Sequence, residues 1–450
     1  MGFGPCRSRG TGSTGTAGRS FIDPPRLAPP TWGGERLWAR SLSLPRDGID
    51  RDRWALHRCR LVVTVTYTRP RMAGFSFEVT ARDGRARAGR LVTPHGEVET
   101  PAFMPVGTAG AVKGVLHRDL REIGARVLLA NTYHLMLRPG DAVIASLGGL
   151  HGFTGWDGPF LTDSGGYQVF SLAALRRIDD EGVRFRSHVD GSPHLLTPER
   201  SIEIQARLGA DIVMAFDECP PGDAARGPIE EATRRTSLWA RRCRNAHRRA
   251  DQWLFGIVQG GTHLDLRERS ARELMELDFP GYAVGGLSVG EPREGRDLVL
   301  DRLDPLLPAG RPRYLMGVGT PEDLLDSVAR GIDLFDCVLP TRNARNGQLF
   351  TRTGRLSLRN ARYRDDPRPP DPECSCPTCR TTSRAYLRHL HMSGELTAAT
   401  LATVHNLFLY LDIMGKVRQS IRLCRFEEYR RETLRRLAAV DEDGPACDAP

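Results

Sequence analysis

Four polar residues sit in the same local setting. Asp163 follows the apolar run of GPFLTDSGG, Asp217 that of DIVMAFDE, Gln259 that of LFGIVQGG, and Asp336 that of LFDCVLPTR. Gly286 holds the equivalent place in YAVGGLSVG. Two carboxylates directed into one cavity can do acid/base or nucleophilic work. Glycosyl transfer uses them as a pair: one oxygen attacks the anomeric carbon while the other group carries a proton to and from the leaving group. A lone aspartate at such a point more simply caps a helix or pairs with an arginine. The chemistry therefore depends on whether these positions converge.

The neighbouring residues suit a flat ligand. Ser164, Gly165 and Gly166 leave backbone exposed beside Asp163, and Tyr167 adds an aromatic face on which a base could stack. An ordinary tight turn with a packed tyrosine is the plain alternative. Asp217 offers acceptors, Gln259 a mixed donor and acceptor, and GGLSVG its backbone. Together they match the edge of guanine, which needs acceptors for N1–H and the exocyclic amine and a donor for O6.

A second chemistry is written in CSCPTC. Cys374, Cys376 and Cys379 have the spacing of thiolate ligands for a tetrahedral zinc ion. Candidates for the fourth ligand are His389, His391, His405, Cys424 and Cys447, and spacing leaves that choice open. Four protein ligands would leave no position for water, so one structural Zn2+ is expected.

Elements must exist that bring these residues together. Eight short apolar runs recur from about residue 98: PAFMPV, RVLLANTY, GPFLTDSGG, DIVMAFDE, LFGIVQGG, YAVGGLSVG, RYLMGVGT and LFDCVLPTR. Stretches with a helical period lie between most of them, such as PERSIEIQARLGA and PEDLLDSVARG. Continuous apolar strands alternating with helices imply a parallel sheet covered on both faces. Eight of them predict an α/β fold, a (β/α)8 TIM barrel with a C-terminal zinc-binding helical subdomain. No GxGxxG follows an early strand, which disfavours a dinucleotide fold. In a barrel the C-terminal strand ends converge on one face, so the polar residues would ring one cup. The expected division is an extension over 1–71, a catalytic barrel over 72–365, a zinc subdomain with closing helices over 366–440, and a tail over 441–450.

Residues 1–71 are rich in Gly, Pro, Ser and Arg and read as disordered, although RLVVTVTYT has strand character. Translation from Met72, just before AGFSFEV, is an alternative start. Asp47, Asp50 and Asp52 argue against a transit peptide. The formal net charge is +9, but this segment holds 13 Arg against 5 acidic residues, a net of +8, leaving only +1 for the rest. Global charge therefore says little about nucleic acid. Ten cysteines, scattered except for one cluster, suit a reducing compartment. No leader with a cleavage site and no apolar run approaching about 18 residues is evident, so a cytoplasmic protein with no membrane partner is expected.

In order, LTDSGGYQVF, FDECPP, VQGG, GGLSVGE, FDCVLPTRNARNG and CSCPTC resemble the bacterial tRNA-guanine transglycosylase family over residues 75 to 435. That family exchanges guanine at the anticodon wobble position, G34 of GUN-anticodon tRNAs, for a 7-deazaguanine base. The resemblance implies Asp336 as nucleophile, forming a covalent ester with ribose C1′, and Asp163 as general acid/base. It implies base recognition by Asp163, Ser164, Gly165, Gly166, Asp217, Gln259, Gly286 and Leu287, with Tyr167 stacking. RNA contact is implied for GVGTPED, which is Gly317, Val318, Gly319, Thr320, Pro321, Glu322 and Asp323. The same holds for TRNAR, which is Thr341, Arg342, Asn343, Ala344 and Arg345. Among the open zinc ligands it selects His405 in HNLFLY.

The resemblance also narrows the incoming base. Members that admit the bulkier queuine tend to carry glycine where Val289 stands, and Cys219 follows the bacterial pattern. It therefore implies 7-aminomethyl-7-deazaguanine (preQ1), with tRNA as the other substrate and a homodimer as the working form. A non-catalytic accessory subunit would lack one of the two aspartates. A metal-dependent hydrolase barrel would carry histidines at its strand ends, where this chain has Asp, Gln and Gly. An archaeal-type relative would continue into an RNA-binding domain after residue 440.

Overall fold

The computed structural model of the protein describes residues 74–172 and 176–438. The expected extension over 1–71, the RLVVTVTYT strand, the tail and Cys447 lie outside the described residues. All eight apolar runs form parallel strands, numbered here β1 (Ala102–Met104), β2 (Leu128–Ala130), β3 (Phe160–Thr162), β4 (Ile212–Met214), β5 (Trp253–Val258), β6 (Gly281–Val284), β7 (Arg313–Leu315) and β8 (Leu334–Asp336). Each pairs with its sequence neighbour from β2 through β8, and β8 pairs with β1, Leu334 opposite Ala102 and Asp336 opposite Met104. A parallel bridge between Val106 and Leu129, with Gly107 N–H donating to Leu129 O at 2.7 Å, closes the ring.

Why these strands read as unbroken apolar runs follows from the closure. Successive side chains alternate between the barrel interior and the helical jacket. Met104, Leu129, Leu161, Met214, Phe255, Ile257 and Tyr314 fill the interior. Phe103, Leu128, Phe160, Val213, Val258 and Phe335 pack outward against helices. The two helical periods quoted above form Pro198–Leu208 and Pro321–Val328. Both begin with proline, whose missing N–H has no partner to lose at a helix start. Thr197 caps the first, and Thr320 closes a capping box with Asp323 on the second.

Two antiparallel sheets were not legible. Ser76–Asp83, Ala86–Thr93 and Gly96–Thr100 form one ahead of the barrel. Its Phe75, Leu91 and Val98 join the interior cluster, with Phe75 stacked on Trp253 at 4.9 Å, so the sheet plugs the N-terminal end of the barrel. A buried ion pair fastens it: Arg87 Nε donates to Asp333 Oδ1 at 2.8 Å, and its other nitrogens reach Ala309 O and Arg311 O. Removing one partner of such a pair costs about 3–5 kcal/mol, because the other charge stays buried. The second sheet, Arg176–Ile178, Val183–Arg186 and Pro193–Leu196, is inserted between β3 and β4.

After β8 the chain adds a hairpin, Gln348–Thr351 with Gly354–Ser357, and the helices Pro377–Thr381, Arg384–Met392, Leu396–Arg422 and Phe426–Leu437. The 27-residue helix Leu396–Arg422 is the longest of these. By length and composition it could cross a membrane, yet 56% of its apolar window is buried inside the protein. Thr403, His405 and Asn406 interrupt its apolar run, which hid it in the sequence. All three are fully buried.

Candidate active site

Parallel strands in a closed barrel end on one rim, and the structure brings the four polar residues together there. Asp163 follows β3, Asp217 stands three residues past β4, Gln259 follows β5, and Asp336 ends β8. Asp163, Ser164, Asp217 and Gln259 are almost wholly buried. Gln259 Nε2 donates to Asp217 Oδ2 at 2.8 Å, and Ser164 Oγ donates to Asp217 Oδ1 at 3.1 Å. Gly166 must lack a side chain, since a Cβ there would lie 2.5 Å from Asp217 O. Leu287 is buried beneath the same rim, and Tyr167, half exposed, stands at its edge.

The two aspartates are held differently. Asp163 accepts from Asn131 Nδ2 at 2.5 Å and from Thr132 N–H at 2.9 Å. Asp336 accepts from Tyr314 Oη at 2.6 Å and from Gly317 N–H at 2.8 Å, both on Oδ1. Its second oxygen, Oδ2, carries neither of these bonds. Burial holds the Tyr314 phenol well above its ordinary pKa, so it stays a donor.

Burial governs the protons. It pushes Asp163 up to about 7, against the Thr132 N–H, and the charges of Asp336 and Asp217 add to the rise. Burial likewise raises Asp217 to about 6, opposed by Gln259 and Ser164. Asp336 is raised by burial, with the Tyr314 and Gly317 donors working against it. Carboxylates that feel one another in a dry cup resist ionising together.

The two segments expected to touch RNA are mixed. Gly317 and Arg342 are exposed, and Glu322, Asn343 and Arg345 are half-buried. Val318, Gly319, Pro321, Thr341 and Ala344 are buried, and Thr320 and Asp323 are engaged in the helix cap. The positions missed in the sequence are mostly supports. Asn131 and Thr132 lie in the quoted run RVLLANTY and carried a signal, being polar at a strand end. Tyr314 and Arg267 carried none. Arg267 is fully buried and braces the rim through Gly261 O, Val258 O and Gly286 O. A hollow of about 610 Å3 between Leu264, Glu268, Arg269 and Arg302 lies on the helical jacket and includes none of the rim residues.

The metal motif closes as a cluster. Sγ of Cys374, Cys376 and Cys379 and a ring nitrogen of His405 lie within 4.8 Å of one another, all buried. His405 Nδ1 is 3.5 Å from Cys376 Sγ and 3.2 Å from Cys379 Sγ. Its Nε2–H donates to Phe350 O at 2.8 Å, which fixes the tautomer and aims Nδ1 at the thiols. His389 and His391, on the helix Arg384–Met392, and Cys424, after the helix Leu396–Arg422, stand outside this cluster. Three thiols and an oriented imidazole are a donor set that a divalent metal ion fits.

The sequence profile described as queuine tRNA-ribosyltransferase matches residues 83–439. A queuine tRNA-ribosyltransferase of Pelotomaculum thermopropionicum is 57% identical over 363 residues, 80% of this chain and 98% of that protein. Those of Desulforamulus reducens and Thermus thermophilus are 56% and 55% identical, over 78% and 81% of this chain and 95% of each relative. The chain belongs to the queuine tRNA-ribosyltransferase family of pentosyltransferases.

Proposed function

We propose that this enzyme exchanges guanine at wobble position 34 of GUN-anticodon tRNAs for preQ1 through a covalent aspartyl-ribose intermediate, within queuosine biosynthesis. The observation that carries the reading is the pair of carboxylates in one cup, Asp163 pushed up to about 7 by burial and Asp336 held by two donors on a single oxygen. Oδ2 of Asp336 attacks C1′, and the bond from C1′ to N9 breaks as Asp163 gives its proton to the departing guanine. The incoming base then returns a proton to Asp163 and displaces the ester. Turning the nucleotide out of its stack costs on the order of a few kcal/mol, less in a loop that is already single-stranded.

Asp217, Gln259 and the Gly286–Leu287 backbone read the base, Tyr167 stacks on it, and Gly317, Arg342 and Arg345 meet the RNA. Val289 supports the smaller base: its carbonyl accepts from Gly222 N–H at 3.1 Å, and its own N–H donates to Glu291. On this reading the valine side chain would crowd a bulkier substituent on the base. We assign the barrel to 72–365 and a structural Zn2+ on Cys374, Cys376, Cys379 and His405 to the segment 366–440. The ion would supply cross-linking alone, having no ligand position left for chemistry. A cytoplasmic homodimer is the expected working form.

Radiolabelled guanine exchange into a GUN-anticodon tRNA tests the reading. Label should enter with the wild type, and Asp336→Ala should abolish exchange without loss of circular dichroism signal. Undiminished exchange by Asp336→Ala would sink it.

A further inference from the structure

At the barrel end opposite the carboxylates, three side chains with no part in the exchange converge. His95 lies in the turn between Ala86–Thr93 and Gly96–Thr100, His151 in the helix Gly149–Thr154, and Asp211 just before β4. His95 Nδ1 is 2.8 Å from Asp211 Oδ1, and His151 Nε2 is 3.4 Å from Asp211 Oδ2. One ligand atom from each falls within 4.8 Å of the others. We propose that His95, His151 and Asp211 form a second metal site, which takes a divalent first-row transition cation and staples the N-terminal sheet to the barrel.

Donor chemistry is the first argument. Two imidazoles and a carboxylate suit Zn2+, Ni2+ or Cu2+, whereas Mg2+ and Ca2+ ask for oxygen ligands. Size is the second. Ligand atoms on a tetrahedral ion with bonds of about 2.1 Å stand about 3.4 Å apart, so this set closes with shifts of about an ångström.

Charge is the third argument. Asp211 is wholly buried, and among the described residues its ion-pair partners are imidazoles, with no arginine or lysine against it. A buried carboxylate lacking a permanent cation is costly, and a bound divalent ion would supply one. Phe160 N–H donates to Asp211 Oδ2 at 2.9 Å and fixes the carboxylate, the role that outer contacts play around metal ligands.

The imidazoles are stacked, with centroids 3.4 Å apart and planes 11° from parallel. They must tilt off this stack to aim their in-plane lone pairs at one ion. His95 has the room, its side chain being 40% exposed, and that exposure is also the ion's way in. To bind the ion, each ring must present its ligating nitrogen without a proton, as the tautomer protonated on the other nitrogen.

The test uses the full chain with its Cys3His cluster zinc-loaded, titrated with Ni2+ while zinc content is followed by mass spectrometry. Wild type should take up one further ion per chain with zinc retained, and its melting temperature should rise with Ni2+ concentration. His95→Gln, in an exposed turn, and Asp211→Asn, which keeps an acceptor for Phe160 N–H, should each bind Ni2+ at least about tenfold more weakly. The melting shift should vanish in His95→Gln. No further ion on the wild type, or undiminished uptake by a folded His95→Gln, would overturn the site and leave a hydrogen-bonded latch.

Discussion

Gly286 and Gln259 meet so closely that a methyl group on Gly286 would stand 2.2 Å from Gln259 Oε1. Gly286 also has φ of +62°, where a side chain adds strain of roughly 1–2 kcal/mol. Gly286→Ala should therefore push Gln259 off Asp217 and spoil base recognition. The expected result is a KM for guanine raised at least about tenfold, on the scale of one lost hydrogen bond to a charged group. The KM for tRNA should change little. Equal changes in both would place Gly286 outside the base site.

The pH profile should report the aspartates. On the proposed reaction, exchange needs Asp336 ionised and Asp163 protonated when guanine leaves. Because Asp163 titrates at about 7, the rate should fall as pH rises beyond that value, and it should fall again in acid as Asp336 takes up a proton. Asp163→Asn should lose about 100- to 10,000-fold in rate and its alkaline limb with it. An alkaline limb that survives the substitution would belong to another group.

Stability should move the other way at Asp217. Burial lifts its folded pKa to about 6 from an ordinary 3.8. A carboxylate raised in this sense favours the fold below its unfolded pKa, and that contribution is lost as pH climbs through the folded value. At pH 8 the wild type bears a penalty on the order of 2–3 kcal/mol that Asp217→Asn relieves. The variant should melt higher than wild type at pH 8, with the difference shrinking towards pH 4, while exchange is lost. A melting difference independent of pH would refute the linkage.

Metal removal should act locally first. The cluster draws its ligands from the Cys374–Cys379 loop and from His405 on the long helix. Chelation, or His405→Ala, should expose amides around residues 374–410 to hydrogen exchange before those of β1–β8. Unchanged protection there would show that hydrophobic packing suffices without the ion.

The barrel was legible because strands buried on both faces must be apolar throughout, and RVLLANTY or LFGIVQGG announce themselves. The sheets over 76–100 and 176–196 were not, because arginines and glycines such as those of ARAGR break the alternation. Arg87 looks like a surface residue until Asp333, 246 positions away, is found beside it. Asp163 and Asp336 could be picked out by where they sit on strands. Tyr314 could not, since it is an interior strand residue whose hydroxyl alone reaches the rim. The histidine pair lies on two elements, and nothing local joins His95 to His151.

The plugged barrel has a consequence for traffic. With Phe75, Leu91 and Val98 packed into one end, the cup opens, among the described residues, at the rim of the carboxylates, where on the proposed reaction the polynucleotide would stand. On the proposed reaction, freed guanine and its replacement must both slip past a nucleic acid that is still covalently anchored. Passage through that crowded threshold would then be a step of its own in every turnover.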